Sequence, residues 1–268
     1  MPFRHPCFLI YFADDKISEM TKQLLLCCVA LCLLISCSKY NDKPADPNDP
    51  DPAPSAHPRI KSINGNTYAY DSLGRLVRSF YSNSLTARTE YTYTKDSLVG
   101  NDFDLQGNRV GSAAVYYLGS DGLATSEKYI IGPSIAPIVL SFKYNGDRQL
   151  IEQTVGEEGK APTNRTVYYY SKGNLDSSKA ISIPDNKVLQ VERFEYYTDQ
   201  PNLLNNESNG IAFVGIGSAN LVKKEVQVNT GATTNIELTY EFDTQKRPVR
   251  RHITIDGTPW TDLTYTWF

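Results

Sequence analysis

An all-β fold is what this sequence predicts: an antiparallel meander of about seven β-hairpin repeats, bent into a strongly curved sheet or a partly closed barrel. Three observations predict it. Aromatic residues come in pairs spaced two apart, the pairs return about every 25 residues, and Asp, Asn or Gly turn signals follow them. Residues two apart on a strand share a face, and aromatic side chains fill a pleated, half-buried surface. An Asp or Asn then starts a turn, and a Gly supplies the positive φ it needs.

The hairpins follow in order. The clearest copy is Tyr68-Ala69-Tyr70-Asp71-Ser72-Leu73-Gly74-Arg75-Leu76. The second aromatics fall at Tyr70, Tyr93, Tyr117, Tyr144, Tyr170, Tyr196, Phe242 and Trp267, at steps of 23, 24, 27, 26, 26, 46 and 25. The long step places one insertion near 198–222. Residues after the turns, such as Leu76, Leu150 and Val249, begin the returning strands. Seven two-stranded units and a final strand make about fifteen strands. An open twisted sheet rarely exceeds ~10 strands, so strong curvature or partial closure is expected. The aromatic ending Leu263–Phe268 raises an outer-membrane barrel as a rival. Counting back from Phe268, however, Thr266 and Thr264 share its face, where a lipid-facing strand keeps apolar residues.

Ahead of this domain, residues 59–268, lie three segments. Leu24 to Ile35 is an apolar run of twelve residues, which as a helix covers roughly 18 Å and falls short of the ~30 Å hydrocarbon layer. With Met20 and Lys22 before it, it reads as a signal peptide over 20–36. Residues 1–19, acidic at Asp14, Asp15 and Glu19, then read as an extension upstream of the true start. Residues 37–58 include Asn41–Pro58, where six prolines and four aspartates predict an extended, semi-rigid spacer.

Leu34, Ser36 and Cys37 resemble the bacterial lipobox, which implies cleavage between Ser36 and Cys37, lipidation of Cys37, and a membrane partner reached through that anchor. The other cysteines, Cys7, Cys27, Cys28 and Cys32, precede the cleavage point, so the mature chain of 232 residues has no disulfide and no thiolate metal site. The copy at Tyr68–Leu76 resembles the YD repeat of the RHS family, Tyr-x-Tyr-Asp-x-x-Gly-Arg-Leu. Signal, acidic spacer and degenerate YD-like hairpins together, with Tyr196–Asn202 and Gly217–Leu221, resemble the uncharacterised Bacteroidetes lipoproteins of the DUF4595 group. That resemblance implies an outer-membrane lipoprotein on the periplasmic or cell-surface face. It implies no activity.

Chemistry is sparse. Residues 59–268 carry 22 Lys and Arg against 23 Asp and Glu, so the basic footprint of nucleic-acid binding is absent. Lys246–Arg251 reads as a solvated strand face. His252 is the domain's single histidine, within the alternating run Arg250–Ile255, and reads as a strand-surface imidazole without a nucleophile elbow. No metal and no cofactor are expected: zinc lacks ligands, and the calcium-loop opening at Asp102–Gly107 has Ala113 where a Glu is required. Asp102 and Asp104 are expected on one strand face, as a glycosidase pair could be. Trp260 is the candidate stacking platform, with a core position the alternative. No catalytic residue is assigned. The expectation is a lipid-anchored binding or scaffold module, not an enzyme, with a glycan or an envelope protein as partner; a carbohydrate-active hydrolase and a purely structural spacer are the alternatives.

Overall fold

The structure is a computed structural model that describes residues 58–268, apart from 83–85, 133 and 230. Sixteen strands run in chain order. They are β1 (Ile60–Ile63), β2 (Asn66–Tyr70), β3 (Leu76–Phe80), β4 (Arg88–Tyr93), β5 (Ser97–Phe103), β6 (Arg109–Leu118), β7 (Ala124–Ile130) and β8 (Ile138–Tyr144). They continue as β9 (Leu150–Glu157), β10 (Asn164–Ser171), β11 (Asn174–Ser182), β12 (Val188–Pro201), β13 (Asn220–Asn229), β14 (Ala232–Phe242), β15 (Pro248–Ile255) and β16 (Thr258–Trp267). Each strand pairs antiparallel with its neighbour in sequence, and β1 pairs with β16, so the sheet is a closed barrel.

Two expectations are corrected here. The sheet closes fully, and it has sixteen strands in place of about fifteen. The additional strand is β1, Ile60-Lys61-Ser62-Ile63, which carries no aromatic pair. It joins β16 to make an eighth two-stranded unit from the two ends of the domain, with Ile63 opposite Tyr265 and Ser62 Oγ 2.7 Å from Thr266 Oγ1. Closure by the β1–β16 pairing removes the two edges that an open sheet would leave unpaired.

The turns are of two designs. Asn64-Gly65, Lys172-Gly173 and Asp256-Gly257 hold both residues at positive φ, the tight turn whose twist matches a hairpin. The longer turns begin with Asp or Asn, whose carboxyl or amide oxygen caps the backbone: Asp71 Oδ1 accepts from Leu73 N and Arg75 N, and Asp243 Oδ1 from Gln245 N and Arg247 N. The fourth residue is left-handed, Gly74 at φ 72°, but Arg148 at 62° and Lys246 at 60° in two other copies. In Asn145-Gly146-Asp147-Arg148, therefore, the glycine does not supply the positive φ.

Register defines the two faces, because residues directly opposite in a ladder point the same way. The rows Tyr68–Ser79–Thr89–Asp102, Tyr116–Glu127–Leu140–Val155, Tyr168–Ser178–Glu192–Gln227 and Leu238–Ile253–Thr261 run across successive strands. They hold the buried Tyr68, Ser79, Thr89, Tyr116, Glu127, Val155, Tyr168, Ser178, Leu238 and Ile253, so this face is the interior. The alternate rows, among them Arg78–Glu90–Asn101 and Thr239–His252–Asp262, face outward.

The core sits at one mouth, formed by the turns at 71–75, 94–96, 119–123, 145–149, 172–173 and 243–247. Here the even strands carry the aromatic landmarks at or near their ends, and, except between β5 and β6, the ladders to the preceding odd strands stop short: β3 pairs with β4 only over Arg78–Phe80. Aromatic side chains bridge the gap. Tyr70 Oη donates to the Ile60 carbonyl at 2.7 Å, Tyr93 Oη to Leu76 at 2.9 Å, Tyr196 Oη to Leu175 at 2.7 Å, Tyr240 Oη to Val222 at 2.9 Å and Trp267 Nε1 to Pro248 at 2.8 Å. Each latch satisfies a backbone carbonyl the ladder has abandoned.

Candidate functional site

The connection between β12 and β13, residues 202–219, is the feature that gives this barrel an individual character. It includes a short 3-10 turn at Ala212–Val214 and lies across the aromatic mouth. Its backbone is hydrogen-bonded to the rim at widely separated points: Ile60 N to Ser208 O at 3.1 Å, Leu76 N to Gly210 O at 3.1 Å, Ile216 N to Arg148 O at 2.9 Å and Ala219 N to Gly173 O at 3.1 Å. Its apolar residues pack against two clusters of buried residues. Phe213 and Val214 pack against Leu98, Tyr116 and Ala124, with the Phe213 and Tyr116 rings 5.0 Å apart and edge-on. Leu204 packs against the cluster of Leu238, Ile253, Leu263 and Tyr265 on the other side of the barrel. Asparagines stiffen it internally, with Asn206 Nδ2 donating to Gly215 O at 2.9 Å and Asn202 Nδ2 to Ser218 O at 3.0 Å. The segment is a plug, seated against strands from all round the ring.

Beyond the plug the interior turns polar. Asp102 accepts from Thr89 Oγ1 and Ser112 Oγ, both at 2.6 Å, and Tyr81 Oη lies 3.0 Å from Thr89 Oγ1. Glu192 accepts from Ser178 Oγ and Gln190 Nε2, both at 2.7 Å, and Glu225 from Gln227 Nε2 at 2.6 Å. Glu127, Gln153 and Thr166 are buried on the same face. Burial pushes the Tyr91 hydroxyl, on this wall, well above its ordinary range, with the Tyr81 ring adding to it. Carboxylates, amides, hydroxyls and phenol rings thus line the interior face at strands from β4 to β13.

The residues singled out from sequence are dispersed. Ser36 and Cys37, with the signal and most of the spacer, lie outside the described residues. Asp102 and Asp104 do not share a strand face as expected: β5 ends at Phe103, and Asp104 turns out to cap Gln106 N and Asn108 N at the rim. Trp260 stands near the opposite mouth, 44% exposed. His252 is on the outer wall, its Nδ1 2.9 Å from Asp262 Oδ1 and its Nε2 3.0 Å from Glu241 Oε1. Those hydrogen bonds, to Asp262 first and then Glu241, hold the imidazole above its ordinary value of 6.5. Both ring nitrogens are occupied by carboxylates, so neither faces a hydroxyl nucleophile. Among the described residues no group of three or more His, Cys, Asp or Glu is arranged to hold a metal ion. The plug and the polar interior went unseen from sequence, since only the 46-residue step marked where a long connection sits.

Closed ring and antiparallel neighbours throughout define a sixteen-stranded antiparallel β-barrel. Among solved structures the chain is similar to a porin-like protein from Bacteroides uniformis ATCC 8492, at 16% identity over 79% of this chain and 94% of that one, with a TM-score of 0.55. A porin-like protein from Bacteroides vulgatus ATCC 8482 is similar at 12% identity over 78% of this chain and 98% of that one, TM-score 0.53. No family model matches the chain, and no curated protein matches it. At these identities the likeness is one of fold.

Proposed function

We propose that this chain is a lipid-anchored protein of a Gram-negative envelope whose barrel acts as a binding module for glycan or another envelope component. One observation carries the reading: residues 202–219 are bonded to the rim of one mouth at Ile60, Leu76, Arg148 and Gly173, so a porin-like fold is stoppered at one end. A stoppered barrel holds a ligand and does not conduct. The outer wall supports the same reading. Outward rows carry Arg78 beside Glu90, Lys143 paired with Glu152 at 2.7 Å, Arg250 and His252 against Glu241, and Asp262 on the other nitrogen of His252. A lipid-facing wall keeps an apolar band ~25 Å tall, and each basic residue at its middle costs about 2–4 kcal/mol. A wall of this composition suits water, which leaves membrane attachment to Cys37 and the Asn41–Pro58 spacer.

The test is a glycan array probed with the purified full-length protein, alongside affinity capture from solubilised envelopes. Retention of a saccharide family or of one envelope partner is the expected outcome. A blank array together with an empty capture overturns the proposal.

A further inference from the structure

We infer that the plugged mouth carries an anion pocket for a sugar bearing a carboxylate or a sulfate group. The inference rests on the binding-module reading and gives it a ligand class. Between the turns at 71–75, 94–96 and 119–123 and the plug lies a cavity of about 430 Å³. That is the size of an ordinary small-ligand pocket and far larger than a lone inorganic anion needs. Four cations line it, Arg59, Arg75, Lys95 and Arg148, against one carboxylate, Glu207. The whole domain, with 22 basic and 23 acidic residues, has no such excess, so positive charge is concentrated here.

The four cations have different commitments. Arg75 is anchored by Asp71, at 2.6 and 2.7 Å, and lies over the Tyr93 ring at 4.3 Å. Arg59 Nη1 donates to the Glu207 carbonyl, while its Nε is buried without a hydrogen-bond partner among the described residues. Among the described residues the Arg148 side chain reaches only the Asp121 carbonyl, at a long 3.4 Å. Lys95 makes no hydrogen bond or ion pair among the described residues. Two cations thus shape the pocket and two, Lys95 and Arg148, are left to meet an incoming charge. Leu73, Tyr93, Leu118 and Phe213 give the remaining lining apolar and ring surface, which suits the body of a sugar ring more than a bare ion. A concave site walled by one sign of charge raises the local concentration of the opposite one, and hydrogen bonds from Arg or Lys to an anion are the strong kind.

Isothermal titration of the full-length protein with tetragalacturonate, a sulfated heparin disaccharide, neutral cellotetraose and, as a fourth probe, phosphatidylglycerol vesicles tests this. Expected is binding of at least one anionic probe, at least tenfold tighter than cellotetraose and weakening with added salt. Lys95→Ser with Arg148→Ser lowers that affinity at least tenfold with an unchanged melting temperature, and Lys95→Arg with Arg148→Lys retains it. Equal binding of cellotetraose, or anionic binding undisturbed in the serine variant, overturns the anion pocket and leaves the binding module standing. Binding confined to phosphatidylglycerol vesicles overturns it in favour of a lipid surface. No binding by any of the three sugars overturns it too, and the array and capture experiment then decides whether the wider reading falls as well.

Discussion

At Gly210 the backbone sits at φ 69°, and a Cβ there would stand 2.7 Å from both Leu76 N and the Tyr70 ring. The plug therefore approaches the rim at a residue where only a hydrogen fits. Gly210→Ala is expected to lose roughly 2–3 kcal/mol, the sum of a left-handed alanine and a forced shift of packed atoms. Urea unfolding followed by fluorescence reads this, and an unchanged midpoint would show that the plug does not bear on the rim. This constraint was not legible in the sequence, where Asn209-Gly210-Ile211 looks like any loop glycine. The turn residues were legible in part. Asp71 and Gly74 act as their types foretell, because capping and positive φ are local matters. Arg148 and Lys246 occupy the same left-handed position without being glycine, held there by the surrounding hairpin.

Among the elements, the even strands were the readable ones. Their aromatic pairs mark the mouth at which they end, since ring burial and the latch to the preceding strand's carbonyl both demand an aromatic with a polar tip. β1 escaped notice because a four-residue strand paired some 200 residues away in sequence leaves no periodic trace. The latches carry a pH signature. Burial pushes the Tyr196 and Tyr240 hydroxyls up to about 12, and burial likewise drives Tyr70 and Tyr93 higher still. A phenol with a raised folded value contributes stability that is complete below the ordinary 10 and lost as pH rises through the folded value. Absorbance at 295 nm is thus expected to show these tyrosines ionising between about pH 10 and 12 together with unfolding, not before it. Tyr196→Phe, which strips the donor from the Leu175 carbonyl, should cost about 1 kcal/mol and lower the melting temperature by about 2–4 °C.

For the whole molecule, strand number foretold curvature but not closure. Full closure depends on β1 meeting β16, and the use of the β12–β13 connection as a stopper depends on contacts with residues from Ile60 to Gly173 that no local pattern encodes. The interior belt around Asp102, Glu192 and Glu225 was hidden for the same reason: alternation reveals which residues share a face, but not what faces them across a ring. The described residues form a barrel stoppered at one mouth with charged residues on its outer wall, and the proposal is that Cys37 and the spacer tether it beside a membrane without embedding it. The measurement that bears most directly on this is the behaviour of residues 38–268 purified without the cysteine or its signal, by sedimentation in detergent-free buffer. A folded, β-rich monomer at about neutral pH is the expected result. A chain that aggregates without detergent and folds only when micelles or bilayers are supplied would place its outer wall in lipid and contradict the account.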